Sequence, residues 1–390
     1  MSTFSSLQKS QLDKMAALES DAFGMPLDRC EQWIARTGIE NWRALSDDQG
    51  EICGGLIRIP MAQWYGGRAV SMTGLAGVAV SSFARGKGVG QALMRGTLDE
   101  MHSEGCALSA LYGSTTSFYR RCGYERAGAR YMIEVPIREL PGRSGPLQVR
   151  PLTDSDHHEV EALQTRHVQG QACLLRGPYL WQRVRGPRGM TAKGYGFYRG
   201  STLEGYTYLV SSAGQGFTDG TLEASDLCLT SADAVATFLG LLAGHRAFFT
   251  TARWPSAACS PLLFLLDEPW SYQMTLNEHW MLRLVHLQKA LEGRGYSPHL
   301  QGELHLSVDD PWFPQNHGDW VLEVSGGEAH LRRGGRGDLS VDIGSLAALY
   351  SGFASAQELH LAGRLRAEGE AIALATALFG GQAPELVDFF

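Results

Sequence analysis

A glycine-rich turn with two basic residues is the segment whose residue types and spacing best suit chemistry. It reads Arg85-Gly86-Lys87-Gly88-Val89-Gly90, after an apolar stretch that ends at Val80 and before a helical pattern that runs to about Ser103. Glycine lets a backbone turn tightly and approach a ligand closely. The unpaired N–H groups of a helix start carry the positive end of the helix dipole. The segment therefore predicts an anion site suited to a pyrophosphate; a plain tight turn is the simpler alternative.

Two common phosphate-binding motifs do not fit this spacing. A Walker loop needs G-x-x-x-x-G-K-[ST], which the residues after Gly86-Lys87 do not supply. A dinucleotide fingerprint needs G-x-G-x-x-G, whereas Gly86, Gly88 and Gly90 give G-x-G-x-G after a series of predicted strands. Spacing therefore argues against both a Walker-type and a dinucleotide site.

Length and charge limit the fold and the partners. With 390 residues the chain is too long for one compact core, and two or three domains are expected. The net charge of -7 argues against a general binder of nucleic acid or anionic membranes and mildly favours a cationic partner. No apolar run of about 18 residues or more is present, so no membrane partner is expected.

Cysteine usage bears on location and on metals. The 7 cysteines are irregularly spaced and include no C-x-x-C pair, which favours reduced thiols and a cytoplasmic protein. Neither H-E-x-x-H nor another Cys/His pattern with zinc spacing occurs. We therefore predict no metal site.

Periodicity predicts alternating helices and strands along the whole chain. Helices are expected from about Ser5 to Phe23 and from Arg29 to Arg36, and strands follow up to Val80. The strand before the glycine turn, residues 73–80, contains no carboxylate. Any proton acceptor for chemistry at the turn must therefore come from elsewhere in the chain.

Two segments together resemble the GNAT acetyltransferase superfamily. Its acetyl-coenzyme A loop reads [Q/R]-x-x-G-x-[G/A], which Arg85, Gly88 and Gly90 match. Its F-Y-x-x-x-G-[FY] segment is matched by Phe118 to Tyr124, in the expected order and spacing. The resemblance implies an acyltransferase that uses acetyl-coenzyme A as acetyl donor and needs no metal.

The rest of the chain resembles the Eis (enhanced intracellular survival) family within that superfamily. The likeness rests on Asp310-Pro311-Trp312, on Ala362-Gly363-Arg364-Leu365 and on the ending Asp388-Phe389-Phe390. It implies an α/β protein with mixed α+β sheets, in which two GNAT-fold domains precede a sterol-carrier-protein-like α+β domain. The expected boundaries are 1–145 for the catalytic domain, 146–284 for a degenerate central domain and 285–390 for the C-terminal domain, whose tail reaches the active site.

The same resemblance assigns roles to individual residues. Tyr119 would protonate the leaving thiolate, although a buried tyrosine that merely packs is the alternative. Phe390 would supply its terminal α-carboxylate as general base. Because the free pKa of such a group is about 3.3–3.7, it would need desolvation or a water relay. The residues expected to bind the cofactor are Val78, Ala79, Val80, Arg85, Gly86, Lys87, Gly88, Val89, Gly90, Gln91, Ser114 and Thr115, and those expected to line the amine pocket are Phe23, Trp33 and Asp388.

Family members acetylate primary amines of multiply charged molecules such as aminoglycosides and polyamines, and they assemble as hexamers. The resemblance thus predicts direct acetyl transfer to a cationic amine within a ternary complex. Two other functions stay open from the sequence. One is a lipid carrier with a vestigial GNAT portion, and the other is an acetyl-coenzyme A sensor without turnover.

Overall fold

The computed structural model describes residues 2–142, 144–169, 173–216, 218–266, 268, 270–381, 384 and 386–390. The chain forms two compact units. Unit 1 comprises Met1–Gly128, Trp280–Gln382 and Phe389–Phe390, and unit 2 comprises Ala129–His279 and Ala383–Asp388. Each unit is therefore assembled from segments that are distant in sequence.

Strands and helices alternate through the described residues. The strands are β1 (Thr3–Ser6), β2 (Trp42–Ser46), β3 (Ile52–Tyr65), β4 (Arg68–Val80), β5 (Leu108–Tyr112), β6 (Glu125–Pro136), β7 (Gln148–Pro151), β8 (Leu174–Leu175), β9 (Lys193–Arg199), β10 (Thr202–Ser212), β11 (Gly220–Leu229), β12 (Phe249–Ser256), β13 (Gln273–Leu284), β14 (Gly302–Asp309), β15 (Gly318–Ser325), β16 (Glu328–Arg333), β17 (Leu339–Asp342) and β18 (Leu365–Ala367). The helices are α1 (Leu12–Phe23), α2 (Leu27–Thr37), α3 (Val89–Ser103), α4 (Thr116–Arg121), α5 (His157–Val168), α6 (Pro178–Arg185), α7 (Ala232–Ala243), α8 (Leu287–Gly293), α9 (Ile343–Ser351), α10 (Ala356–Leu361) and α11 (Gly369–Phe379). No helix in these ranges is long and apolar enough to cross a membrane.

The N-terminal sheet of unit 1 is mixed. Strands β1 to β4 follow one another antiparallel, β4 and β5 run parallel, and Trp280–Leu284 of β13 pairs antiparallel with β5. Helix α3 buries Leu93, Met94, Leu98 and Met101 in the core of this unit. Their helical spacing places them on one face of α3, which is why this segment folds as a helix against the sheet.

Strands β4 and β5 pair over only part of their length and then separate. Their pairing covers only Met72 to Leu75 on β4, although β4 continues to Val80. The β3–β4 register also shifts between Gly55 and Ile57, and Gly77 on β4 has a φ of 56° within that shift. A β-bulge of this kind increases the local twist and bends the strand. Among the described residues, the last part of β4 therefore has a free edge beside the glycine turn.

Unit 2 has its own core and a run of neighbouring strands. Its strand order is β6-β12-β11-β10-β9-β7, and β11 runs parallel to β12. Phe197, Phe238 and Trp254 are fully buried in its main core cluster. Helix α7, which follows β11, supplies Phe238 to that cluster.

A second sheet in unit 1, of order β16-β15-β14-β17-β18, carries α8 to α11. Its link to β13 is a buried ion pair, in which Arg283 Nη2 donates to both carboxylate oxygens of Asp310 at 2.9 Å. Asp310 also accepts from the backbone N–H of Trp312 at 3.0 Å and from the side chain of Asn316 at 3.0 Å. A buried charge of this kind must be paired and hydrogen-bonded, which explains why the Asp310-Pro311-Trp312 segment is needed here.

Two local predictions differ from the structure. The first helix was expected from Ser5, but Thr3–Ser6 is strand β1 and α1 begins only at Leu12. Pairing of β1 with β2 overrides the local helical pattern, because it satisfies the backbone hydrogen-bonding groups of this segment. The same pairing leaves Phe4 packed against α3. Helix α10 was not predicted, although its capping box of Ser355 and Glu358 is the S-x-x-E signature of a helix start.

Candidate active site

The glycine turn leaves the start of α3 uncapped. Gly86 and Gly88 have φ values of 76° and 81°, and a β-carbon on either would meet nothing within 4 Å. Backbone conformation, and not crowding, therefore favours glycine there. Gly88 is the N-cap residue of α3 and no side chain caps the helix. The first backbone hydrogen bond of α3 runs from the N–H of Ala92 to the carbonyl of Gly88. The N–H groups of the three residues before Ala92 therefore have no acceptor within the helix.

The residues of this turn fit a pyrophosphate-bearing ligand. Arg85 and Lys87 are exposed, and the glycines leave open space over the uncapped N–H groups. Val78, Ala79 and Val80 lie beyond the β4–β5 pairing, so their outer edge is free among the described residues. An extended chain can add to such an edge as a further strand. Ser114 and Thr115 are exposed between the end of β5 and the start of α4.

Tyr119 is a buried tyrosine on α4. Its ring packs edge-on against Phe118, with ring centroids 5.0 Å apart. Burial, with a smaller contribution from Cys122, raises the pKa of Tyr119 to about 12. The hydroxyl forms no hydrogen bond with any described residue, whereas Tyr124 nearby donates to Ser109 at 2.7 Å. Tyr119 therefore keeps its proton at neutral pH and has that proton available for a ligand.

The C-terminal residue is buried against β4. Phe390 is only 6% exposed, and its ring carbon Cε2 lies 2.7 Å from the point where a β-carbon on Gly74 would stand. Its ring also lies edge-on to Tyr112 at 5.5 Å, and Phe389 packs on the same tyrosine at 4.9 Å. Gly74 belongs to the last paired stretch of β4. The tail thus ends beside the place where β4 and β5 separate.

Asp388 belongs to a buried charge cluster in unit 2. Arg176 donates to both carboxylate oxygens of Asp226, at 2.6 and 2.8 Å, and its Nε lies 2.8 Å from Asp388 Oδ1. Burial raises the pKa of Asp388, and the charge of Arg176 opposes that rise. Arg130 also donates to the carbonyl of Val387 at 2.9 Å. The carboxylate of Asp388 therefore has a cationic partner before any amine binds, and the chain is held two residues before its end.

The two aromatic residues predicted for the amine pocket lie on α1 and α2. Phe23, the last residue of α1, is 50% exposed. Trp33 on α2 packs edge-on against Trp42 at 5.2 Å. Its ring atom Cη2 also lies 2.8 Å from the point where a β-carbon on Gly77 would stand, so Trp33 lies against the bulge of β4.

Sequence reasoning missed Glu19, which lies against the same bulge. Glu19 is fully buried on α1, and its Oε2 lies 3.1 Å from the β-carbon point of Gly77. Its position on the apolar face of α1, beside Met15 and Leu18, was the available signal. Arg130 and Arg176 were missed as well, and nothing in their local sequence marks them.

Three domain families match the chain. An acetyltransferase (GNAT) domain family matches residues 3–127, and a second acetyltransferase (GNAT) domain family matches residues 172–284. A sterol carrier protein domain family matches residues 287–387. The predicted fold class, with two GNAT domains before a sterol-carrier-like domain, is confirmed.

Known proteins are similar to this chain over most or all of their length. A GCN5-related N-acetyltransferase from Anabaena variabilis is 30% identical, with 100% of both chains covered and a TM-score of 0.96. An uncharacterized N-acetyltransferase from Streptomyces avermitilis is 26% identical over 77% of this chain and 77% of its own. Eis1 from Mycobacterium abscessus is 21% identical, with 100% of both chains covered and a TM-score of 0.81, a likeness of fold.

These similarities agree with the geometry of the glycine turn. The predicted resemblance to the Eis family is confirmed in domain order and fold. The GNAT domains imply the use of acetyl-coenzyme A, for which the uncapped start of α3 is suited. This chain belongs to the GCN5-related N-acetyltransferases and is an acyltransferase, with two GNAT domains followed by a sterol carrier protein domain.

Proposed function

We propose that this protein transfers the acetyl group of acetyl-coenzyme A to a primary amine of a cationic small molecule or lysine-like acceptor, directly within a ternary complex. The observation that carries the proposal is the uncapped, glycine-lined start of α3 beside the free edge of β4. It offers donors for a pyrophosphate and an edge for an extended arm on neighbouring residues.

In this proposal Val78–Val80 and Arg85–Gln91 bind the cofactor, and Ser114 and Thr115 contact it from the other side of the separated strands. The acceptor nitrogen bonds to the thioester carbonyl carbon as the carbon–sulfur bond breaks. Tyr119 gives its hydroxyl proton to the departing sulfur, a role that its raised pKa and unshared hydroxyl support. The α-carboxylate of Phe390 takes a proton from the nitrogen, a role that the burial of Phe390 beside β4 supports.

The proposed acceptor class rests on charge and on resemblance. A net charge of -7 favours cationic partners, and Phe23 and Trp33 offer aromatic faces to an ammonium group. Aminoglycosides and polyamines combine several amines with positive charge, and the Eis resemblance points to the same class. The domain ranges 1–145, 146–284 and 285–390, and a hexameric assembly, are part of this proposal.

The deciding experiment is acetyl-coenzyme A-dependent thiol release by the full chain with untagged ends. Polyamines, aminoglycosides and lysine-bearing peptides would serve as acceptors. Release that saturates with a cationic amine is the expected result. Tight binding of acetyl-coenzyme A without release, for every amine, would instead favour a sensor of the cofactor.

The terminal carboxylate is tested by adding one glycine after Phe390. The addition moves the carboxylate by about 3.5 Å, and we expect turnover to fall about 100-fold, because general-base catalysis contributes at least this much. Cofactor affinity should stay unchanged. The matched control is one glycine added at the N-terminus. Full turnover in the C-terminally extended protein would contradict the role of Phe390.

A further inference from the structure

Glu19 is a buried carboxyl group without a hydrogen bond. It is 0% exposed, and both of its carboxylate oxygens lack a partner among the described residues. Glutamate is almost never fully buried unless it is paired, because an unpaired buried polar group lowers stability. A group that costs stability in the free protein and serves no visible structural purpose is a candidate for function.

The position of Glu19 is set by the bulge of β4. Its Oε2 lies 3.1 Å from the point where a β-carbon on Gly77 would stand, and Trp33 Cη2 lies 2.8 Å from the same point. Any side chain at position 77 would therefore collide with the indole. Gly77 is the second residue beyond Leu75, where the β4–β5 pairing ends. A glutamate from α1 thus brings a carboxyl group to the strand that carries none of its own.

Glu19 and Phe390 approach β4 from the same face. Gly74, which lies against Phe390, pairs with Ile59, and Ile59 shares a face of β3 with Gly55. A β-carbon on Gly55 would point at Met15 of α1, so this is the face that α1 covers. Gly74 and Gly77 are separated by about 10 Å along the strand. Two carboxyl groups can therefore serve one acceptor bound along this face.

We propose that Glu19 is a catalytic residue that removes the first of the two protons lost by the acceptor nitrogen. A primary ammonium group loses one proton before it can attack and a second as the amide forms. In this scheme the Glu19 carboxylate takes the first proton and later passes it to solvent. The neutral nitrogen then bonds to the thioester carbon, the carbon–sulfur bond breaks, and the Phe390 carboxylate takes the second proton and later also passes it to solvent. Tyr119 protonates the sulfur and is reprotonated from solvent, so one proton is released per transfer.

The surroundings of Glu19 make it a stronger base than an exposed carboxylate. Burial raises the pKa of Glu19 well above its usual range. On α2, the titratable group coupled to it is the Cys30 thiol, whose pKa is raised by burial and, to a smaller extent, by Glu19. A carboxylate with a raised pKa is a stronger base than an exposed one. Trp33 is half-buried, and its ring lies against the same point of the β4 bulge as the carboxyl group of Glu19.

The test is the pH dependence of kcat/KM in Glu19→Gln, with an acceptor that supports thiol release. This inference rests on the proposed function. An alkyl amine has a pKa of about 10.4, so only a small neutral fraction exists at neutral pH. Glu19→Gln can use only that fraction, and its kcat/KM should rise about tenfold per pH unit. The unmodified protein should reach a plateau above the raised pKa of Glu19. We expect a defect of about 100-fold near pH 7.5 that shrinks to a few-fold near pH 10.

The controls separate chemistry from folding. Glu31→Gln removes an exposed carboxylate from α2 and should match the unmodified protein. Thermal stability should be equal or higher in Glu19→Gln, because glutamine has a similar shape and carries no charge to bury, and acetyl-coenzyme A binding should be unchanged. A Glu19→Gln profile that runs parallel to the unmodified one, or coincides with it, would overturn the role of Glu19. Absence of thiol release from the unmodified protein with every amine would overturn the proposed function itself.

Discussion

Helices α3 and α7 occupy equivalent positions in the two GNAT domains, but their first turns are built in opposite ways. Each follows a long strand, β4 or β11, that runs parallel to the strand after the helix. The start of α3 has Gly88 and no side-chain cap. The start of α7 has Ser231, whose Oγ accepts from the N–H of Ala234 at 3.1 Å and donates to Glu204 at 2.7 Å.

The difference shows what makes a helix start available to an anion. In α7 a serine already satisfies one of the free N–H groups, and Asp233 and Glu204 already place negative charge at the positive end of the dipole. In α3 neither occurs. Strand separation alone does not distinguish the two domains, because the β11–β12 pairing ends at Glu223 although β11 continues to Leu229. We therefore expect only the N-terminal domain to bind acetyl-coenzyme A.

Two buried tyrosines extend the comparison. Tyr206 of β10 donates its hydroxyl hydrogen to Asp226 at 2.8 Å, within the buried cluster that contains Arg176. Tyr119 is similarly buried, but its hydroxyl is not used by any described residue. One hydroxyl is used within its domain, and the other has no hydrogen-bond partner among the described residues.

The largest effect is expected from Tyr119→Phe. If Tyr119 protonates the leaving thiolate, its loss should lower kcat about 100-fold with little change in acetyl-coenzyme A affinity or thermal stability. Tyr206→Phe is the matched control. It should lower stability by about 1.5–3 kcal/mol, the value of a hydrogen bond to a charged group, without changing turnover of the folded protein. Unchanged kcat in Tyr119→Phe would remove it as the acid.

A smaller effect is expected when α3 is made to resemble α7. Gly88→Asp places a negative side chain at the helix start, in a left-handed conformation that aspartate tolerates. The added charge opposes the pyrophosphate, and we expect the Kd for acetyl-coenzyme A to rise about tenfold or more, as measured by calorimetry. Gly50→Asp is the control, since Gly50 has a φ of 80° and equally open surroundings, in the turn between β2 and β3. Equal affinity in both variants would mean that the start of α3 does not bind the cofactor.

The glycine turn could be predicted from the sequence because its signals are local. The positive φ angles at Gly86 and Gly88, the strand before them and the helix after them all arise within about twenty residues. The cap of α7 is local too, since Ser231 and Asp233 are typical of a helix start. The fold class followed from the resemblance of such segments, in their order along the chain, to the GNAT superfamily and the Eis family.

The features that the sequence did not predict depend on contacts between distant segments. Glu19 reaches Gly77 only because α1 packs on the bulge of β4, and no spacing within α1 indicates that. The buried group of Arg176, Asp226 and Asp388 joins three remote parts of the sequence. Strand β1 was missed for the same reason, because its partner β2 lies some forty residues further along the chain.

The smallest effect is expected from removing the cap of α7. Ser231→Ala leaves the N–H of Ala234 without its acceptor and removes the hydrogen bond from Ser231 to Glu204, which keeps its bonds from Arg199. The loss should lower the free energy of unfolding by about 1 kcal/mol, as N-cap substitutions usually do, measured by urea denaturation. Acetyl-coenzyme A affinity and turnover should not change, because the bound cofactor is expected only at α3. A loss of cofactor affinity in Ser231→Ala, at unchanged stability, would instead assign a binding role to the central domain and would contradict the distinction between the two helices.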